Sequence, residues 1–143
     1  MSDPEIDLGA VRAGWEATRS GYSRLLRFEL ENLETGRATM RMKTPSELLN
    51  EGGAVHGGAI VSLCDTAFHV AHLSLYGLEC PAVTVDVNCA FLSAAFPPHD
   101  LIALAEVMKG GRRVAYGQVS VHSDERLVAH CTLNFMNLNA DRR

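Results

Sequence analysis

The sequence predicts an α+β fold, with an antiparallel β-sheet wrapped around one long central helix. Three observations carry that reading. A glycine-rich segment, Asn50-Glu51-Gly52-Gly53-Ala54-Val55-His56-Gly57-Gly58, opens a stretch that runs to Tyr76. That stretch is apolar nearly all round, as a helix enclosed by sheet requires, and carries one carboxylate, Asp65, two turns in. On both sides of it, apolar and polar residues alternate with period two, the pattern of half-buried strands.

The elements follow in order. Leu8, Val11 and Trp15 are spaced by three and four, which predicts a surface helix from about Leu8 to Arg19, ended near Gly21. Leu25 to Leu33 alternates, Glu34-Thr35-Gly36 turns, and Arg37 to Met42 alternates again. This is a hairpin, stopped by Pro45. Gly57 to Tyr76 is the central helix. After Pro81, Val83 to Leu92 forms a strand with Val83, Val85 and Val87 on one face and Thr84, Asp86 and Asn88 on the other. Pro97-Pro98 closes it. Leu101 to Met108 is the next strand, turned by Lys109-Gly110-Gly111-Arg112 into Val114 to Val121. Ser123-Asp124-Glu125 then leads to a last strand, Leu127 to Leu138. The sum is five or six antiparallel strands, with the helix between the second and third. Residues 1–143 make a single domain, with 1–20 as N-terminal helix and extension and 139–143 as a frayed tail.

Composition narrows the function classes. Hydrophobic residues at 47% and charged residues at 21% place the chain among folded globular proteins and away from disordered ones. A formal charge of -4 with no basic stripe opposes a nucleic-acid partner. No uninterrupted apolar run reaches bilayer-spanning length, and the first seven residues are acidic where a secretory leader is basic. A cytoplasmic protein without membrane contact is expected. Cys64, Cys80, Cys89 and Cys131 show no C-x-x-C spacing and sit in apolar stretches, so they read as reduced core residues rather than zinc ligands or disulfides. His72, His99, His122 and His130 have no ligand spacing either, and no metal is expected. Unpaired sheet edges and an open helix face call for a partner, which predicts a homodimer.

At this point the residues are specific enough to name a family. Asn50-x-x-Gly53-x-Val55-His56-Gly57-Gly58 followed by Ser62-Leu63-x-Asp65-Thr66-Ala67-Phe68 resembles the PaaI-type branch of the hotdog-fold acyl-CoA thioesterases. H-G-G alone is weak; with Asn50 six residues before it and Asp65 nine after, it is strong. Strand order and spacing fit from about residue 21 to 138. The resemblance implies a hotdog fold, dimers that often form homotetramers, and hydrolysis of aryl-, phenylacetyl- or other acyl-CoA thioesters. Coenzyme A is then part of the substrate, and no separate cofactor is implied. By the same resemblance Asp65 is nucleophile or general base, and the Gly57 N–H polarises the thioester carbonyl, supported by Asn50 and His56. Thr84 takes the place of a hydroxyl residue near the attacking water. Lys109, Gly110, Gly111, Arg112 and Arg113 lie along the CoA pantetheine and phosphates.

The residues support part of this by themselves. Gly57 begins the helix, where N–H groups lack intrahelical acceptors and the dipole adds positive charge, suited to a developing oxyanion. Its neighbour Gly58 is expected to bind substrate at the same turn, and both glycines serve equally well as mere turn residues. Asp65 is the sharper clue, because an apolar helix makes an unpaired carboxylate costly. Asp65 lies eight residues past Gly57, roughly 12 Å along one helix, too far for both to serve one carbonyl carbon. Two such helices packed antiparallel would set Gly57 of one chain against Asp65 of another, giving two composite sites per dimer. His69, one turn past Asp65, can pair with it or line an acyl pocket with Phe68, His72 and partner residues. Related sequences tend to have a small residue there.

Two other readings stay open. A hotdog hydratase or dehydratase pairs a histidine with an acid for proton transfer at carbon. Here His69 and Asp65 stand too close on one helix, and the glycine-proline helix entry of those enzymes is missing. A non-catalytic acyl-CoA-binding module is the other, opposed by the intact Asn50, Gly57 and Asp65 set.

Overall fold

The structure is a computed structural model that describes residues 5–140; residues 1–4 of the acidic N-terminus and 141–143 of the tail lie outside it. The helices are α1 (Leu8–Thr18), α2 (Gly21–Leu25) and α3 (Gly57–Tyr76). The strands are β1 (Glu29–Glu34), β2 (Arg37–Met42), β3 (Ala82–Phe91), β4 (Leu101–Gly110), β5 (Val114–Ser123) and β6 (Arg126–Asn137). All six strands join one antiparallel sheet in the order β1-β2-β4-β5-β6-β3, curled around α3. The hotdog architecture read from the sequence is therefore the one observed. Both α3 boundaries fall where the sequence put them.

Burial explains why α3 sits inside. Leu63, Cys64, Ala67, Phe68, Val70 and Ala71 expose no surface, packed on the inward residues of the sheet. Phe68 meets the Phe135 ring edge-on at 4.8 Å. That seat depends on Gly117, where a Cβ would stand 2.5 Å from the Phe68 ring and 2.1 Å from the Glu106 carbonyl oxygen. Emptying such a site costs about 3–5 kcal/mol. At the far end of the helix, the buried Ser74 hydroxyl accepts the Gly36 N–H at 2.7 Å and so ties α3 to the β1–β2 turn. By length and composition alone α3 is apolar enough to cross a bilayer. With 61% of its apolar window buried, it is the core helix of this fold.

The N-terminal region differs from the expected strand at Leu25. Ser20 caps α2 by accepting the Ser23 N–H, and Arg27 takes a left-handed φ of 55°, so the strand begins only at Glu29. Alternation of side chains continued into this short helical turn, and periodicity alone could not separate the two. Val11 and Trp15 of α1 are buried against the body of the domain, as the stripe predicted. At the other end the tail is pinned rather than frayed as far as it is described. Ala140 is buried, and its carbonyl accepts the Arg112 Nε–H at 3.0 Å.

Strand β3 departs from simple alternation in a way that matters for function. Its register against β6 slips between Thr84 and Asp86, making Val85 the extra residue of a bulge. The bulge shifts the parity of the strand. Thr84 on one side of it and Cys89 and Phe91 on the other all reach toward α3, while Asp86 bonds Asn134. The expected division into a valine face and a polar face does not survive. Val83 and Val85 are exposed, because β3 is a sheet edge.

Candidate active site

The loop into α3 is built by side-chain acceptors. Asn50 Oδ1 accepts the N–H groups of Gly52 (3.0 Å) and Ala54 (3.1 Å), and Gly53 takes a φ of 82° that favours glycine. His56 then caps the helix, its Nδ1 accepting the Gly58 N–H at 2.8 Å. Ala59 and Ile60 donate to the His56 carbonyl. The Gly57 N–H is left in the first turn with no acceptor among the described residues. Gly57 lines a cleft of about 350 Å³ together with Asn50, Val55, Phe91 and Ser93. A Cβ at Gly57 would meet the Phe91 ring at 3.2 Å. Phe91 is a site-wall residue that alternation in the sequence could not single out.

Asp65 lies on the one stripe of α3 that the sheet leaves half-covered, with Ser62, Thr66 and His69. Its Oδ1 accepts the Thr84 hydroxyl at 2.8 Å, which leaves Oδ2 open. Burial pushes the Asp65 carboxyl above its ordinary value of 3.8, and the Thr84 hydrogen bond pulls the other way. The carboxylate borders a second cleft of about 430 Å³, walled by Trp15, Arg19, Tyr22, His69, Leu73 and Leu78. Helices α1 and α2 close this cleft, held by Tyr22 Oη, 2.7 Å from Ser62 Oγ. Trp15 was visible in the sequence only as a helix stripe. Tyr22 was missed, since it meets Ser62 from forty positions away.

Other expected site residues fall as follows. His69 borders the second cleft, stacks on His72 with ring centroids 6.5 Å apart, and makes no hydrogen bond to Asp65 among the described residues. Burial holds its imidazole below the ordinary 6.5, toward the neutral form. Phe68 and His72 expose nothing: Phe68 packs on Phe135, and His72 Nε2 lies 2.7 Å from Asn137 Oδ1. Of the three proposed pocket residues, only His69 reaches a cleft. Lys109 to Arg113 lie against the C-terminal end of α3, where Tyr76 donates to the Gly111 carbonyl at 2.6 Å. Of its cations, Arg112 is engaged with Ala140. A larger concavity of about 570 Å³ lies between Asn32, Arg37, Glu106 and His130 and contains none of the expected site residues.

A single chain thus carries two separate groupings: the Gly57 N–H with the Asn50 amide beside one cleft, and a hydroxyl-bound carboxylate beside another. Among the described residues no group of three or more histidines, cysteines and acids is arranged to hold a metal ion.

Comparison with known proteins shows the family and the fold. Residues 52–130 match the family model described as the Thioesterase superfamily. Acyl-coenzyme A thioesterase 13 of Homo sapiens is 29% identical over 103 residues, 70% of this chain and 71% of the relative. Acyl-coenzyme A thioesterase PaaI of Escherichia coli is 27% identical over 117 residues, 78% and 81% of the two chains. Among solved structures, a conserved protein of Pseudomonas aeruginosa superposes with a TM-score of 0.82 at 30% identity, over 86% of this chain and 98% of the other.

Proposed function

Because the chain belongs to the thioesterase superfamily, we propose that it hydrolyses an acyl-CoA to free acid and CoA at sites shared between two copies. The observation that carries the mechanism is the Thr84–Asp65 pair at 2.8 Å beside an open cleft. A carboxylate whose proton affinity is raised by burial is a better base, and Thr84 keeps it ionised enough to act. Asp65 Oδ2 takes a proton from water, and the resulting hydroxide attacks the thioester carbon. The carbonyl oxygen gains charge against the Gly57 N–H of a second copy, oriented by Asn50 and the His56 cap. The carbon–sulfur bond then breaks, and the CoA thiolate leaves and takes up the proton.

Distance supports the second copy. Gly57 and Asp65 stand roughly 12 Å apart along α3 and open into different clefts. The acyl group enters the cleft beside Trp15, Tyr22 and His69, of a size for a ring or a medium chain. Lys109, Arg112 and Arg113 supply positive charge for CoA phosphates.

The test is CoA release from a panel of aryl-, phenylacetyl- and medium-chain acyl-CoAs, with Asp65→Asn as control. Asp65→Asn is expected to lose at least about 100-fold in kcat. Mixing it with Gly57→Val, itself inactive, is expected to return about a quarter of wild-type activity in exchanged dimers. No recovery after confirmed exchange rules out the shared site. Single turnover in heavy-oxygen water is expected to place the label in the product acid alone; label in Asp65 would establish an acyl-enzyme instead.

A further inference from the structure

The cleft of about 430 Å³ that Asp65 borders is also lined by Arg19. Arg19 stands where α1 ends, and a cation at a helix C-terminus is ordinary. Its surroundings are not. The half-buried side chain lies back against the domain, with Nη1 donating to the Phe28 carbonyl at 2.9 Å and the guanidinium carbon 5.9 Å from the centre of the buried Trp15 ring. Nε is buried without an acceptor, and among the described residues Nη2 makes no hydrogen bond and no carboxylate pairs with the group. A guanidinium partly withdrawn from water needs an anion to offset its desolvation, and one carbonyl with a ring face falls short of that.

Asp65 is not the missing anion. It is the other charged residue of the cleft, yet no ion pair joins it to Arg19, and only burial and the Thr84 hydroxyl move its carboxyl. His69, in the same wall, is held toward the neutral imidazole. The cleft therefore carries a carboxylate bound to Thr84 and a separate cation, with the apolar side chains of Leu73 and Leu78 also in its wall.

We propose that Arg19 is a specificity-determining residue that receives a carboxylate at the far end of the acyl group, so that the ligand class is the CoA thioester of a dicarboxylic acid. The orientation rests on the hydrolysis proposed at Asp65: thioester carbon beside Asp65, acyl chain along Leu73 and Leu78, terminal carboxylate at Arg19. The guanidinium offers its unengaged Nη2 hydrogens to a carboxylate oxygen, a charge-assisted bond at both ends. Phe28 and the Trp15 ring already hold the side chain, so little rotamer freedom is left to lose on binding. An acyl group with a methyl end would displace water from the cleft and leave the cation unpaired. That difference is the source of the preference.

The experiment compares adipyl-CoA with hexanoyl-CoA, acyl chains of equal length that differ at the terminal carbon. Binding to the full-length Asp65→Asn protein is measured by titration calorimetry, and CoA release by the wild-type protein with a thiol reagent. Adipyl-CoA is expected to bind at least about tenfold more tightly and to show at least about tenfold higher kcat/KM, the effect of a hydrogen bond to a charged group. Arg19→Met, in each background, is expected to bring both ratios to about one, chiefly by weakening adipyl-CoA, and Arg19→Lys to recover part of the preference. A side chain that only braces α1 against β1 would, when replaced, lower both thioesters alike. Equal affinities in protein that retains Arg19, no measurable binding of adipyl-CoA, or a preference that survives Arg19→Met would overturn the proposal, and the first two require no variant of Arg19 to fold. The hydrolysis is judged separately. Tighter binding of adipyl-CoA without CoA release from either thioester removes the hydrolysis and keeps Arg19 as the carboxylate's partner, whereas release from both with no preference keeps the hydrolysis and removes this role.

Discussion

At the scale of residues, two contacts decide what Asp65 does. Burial raises its carboxyl above 3.8, so the folded state holds the proton more tightly than the unfolded chain. The stabilising contribution of that group is complete below 3.8 and is lost as pH rises through the folded value. At neutral pH the ionised carboxylate therefore costs stability, and Asp65→Asn is expected to have a higher Tm than wild type by calorimetry, the gap closing as pH falls below 3.8. Thr84→Val removes the one interaction that lowers the carboxyl. The acid limb of the kcat/KM profile is expected to move to higher pH, and an unmoved limb would remove Asp65 from the rate law. Gly57→Ala brings a methyl to 3.2 Å from the Phe91 ring. A fall of about 10–100-fold in kcat is expected, since the ring must turn into the space beside the N–H donor, and Phe91→Leu in the same chain should recover part of it. Asp65 was legible in the sequence because a carboxylate in an apolar helix demands a reason. Its hydroxyl partner came only from resemblance, and the Phe91 wall not at all, because both reach α3 from another strand.

At the scale of elements, the helix cap and the bulge in β3 position these groups. His56→Ala is expected to lower stability by about 1 kcal/mol, the usual worth of a cap, and Tm by roughly 2–5 °C. It also frees the Gly58 N–H and loosens the first turn, so kcat falls more than the small stability loss explains. Deleting Val85 removes the extra residue between Thr84 and Asp86 and turns the N-terminal part of β3 over. Far-ultraviolet circular dichroism is expected to stay native while turnover drops to the level of Thr84→Val or lower. Element existence was easy to read: the glycine loop, the apolar stretch and the alternating runs each have a period of their own. Two features resisted. The short α2 helix is decided by the Ser20 cap and the left-handed Arg27 rather than by any periodicity. The bulge is a register event between two strands, and a single strand's sequence contains no record of register.

At the scale of the whole molecule, the sheet ends on an edge, β3, that exposes Val83 at 45%, Val85 at 54% and Phe91 at 54%. An apolar edge of this kind invites pairing with another chain. If two copies meet there, Val83→Lys is expected to yield monomers by light scattering and to abolish turnover while leaving each chain folded. A monomer that retains full kcat would refute the shared site. The sequence raised the expectation of a partner through the Gly57–Asp65 spacing, a length that follows from helix rise alone. It did not reveal the cleft under α1 and α2, since that depends on Tyr22 meeting Ser62 across the chain. The two separate clefts have one more consequence, for anyone who assays the protein. When each half of a catalytic centre is carried on a different molecule, specific activity ceases to be a property of the polypeptide and becomes an association isotherm. Serial dilution should then bend the plot of rate against protein, and the bend reports the dimer dissociation constant with no label or probe.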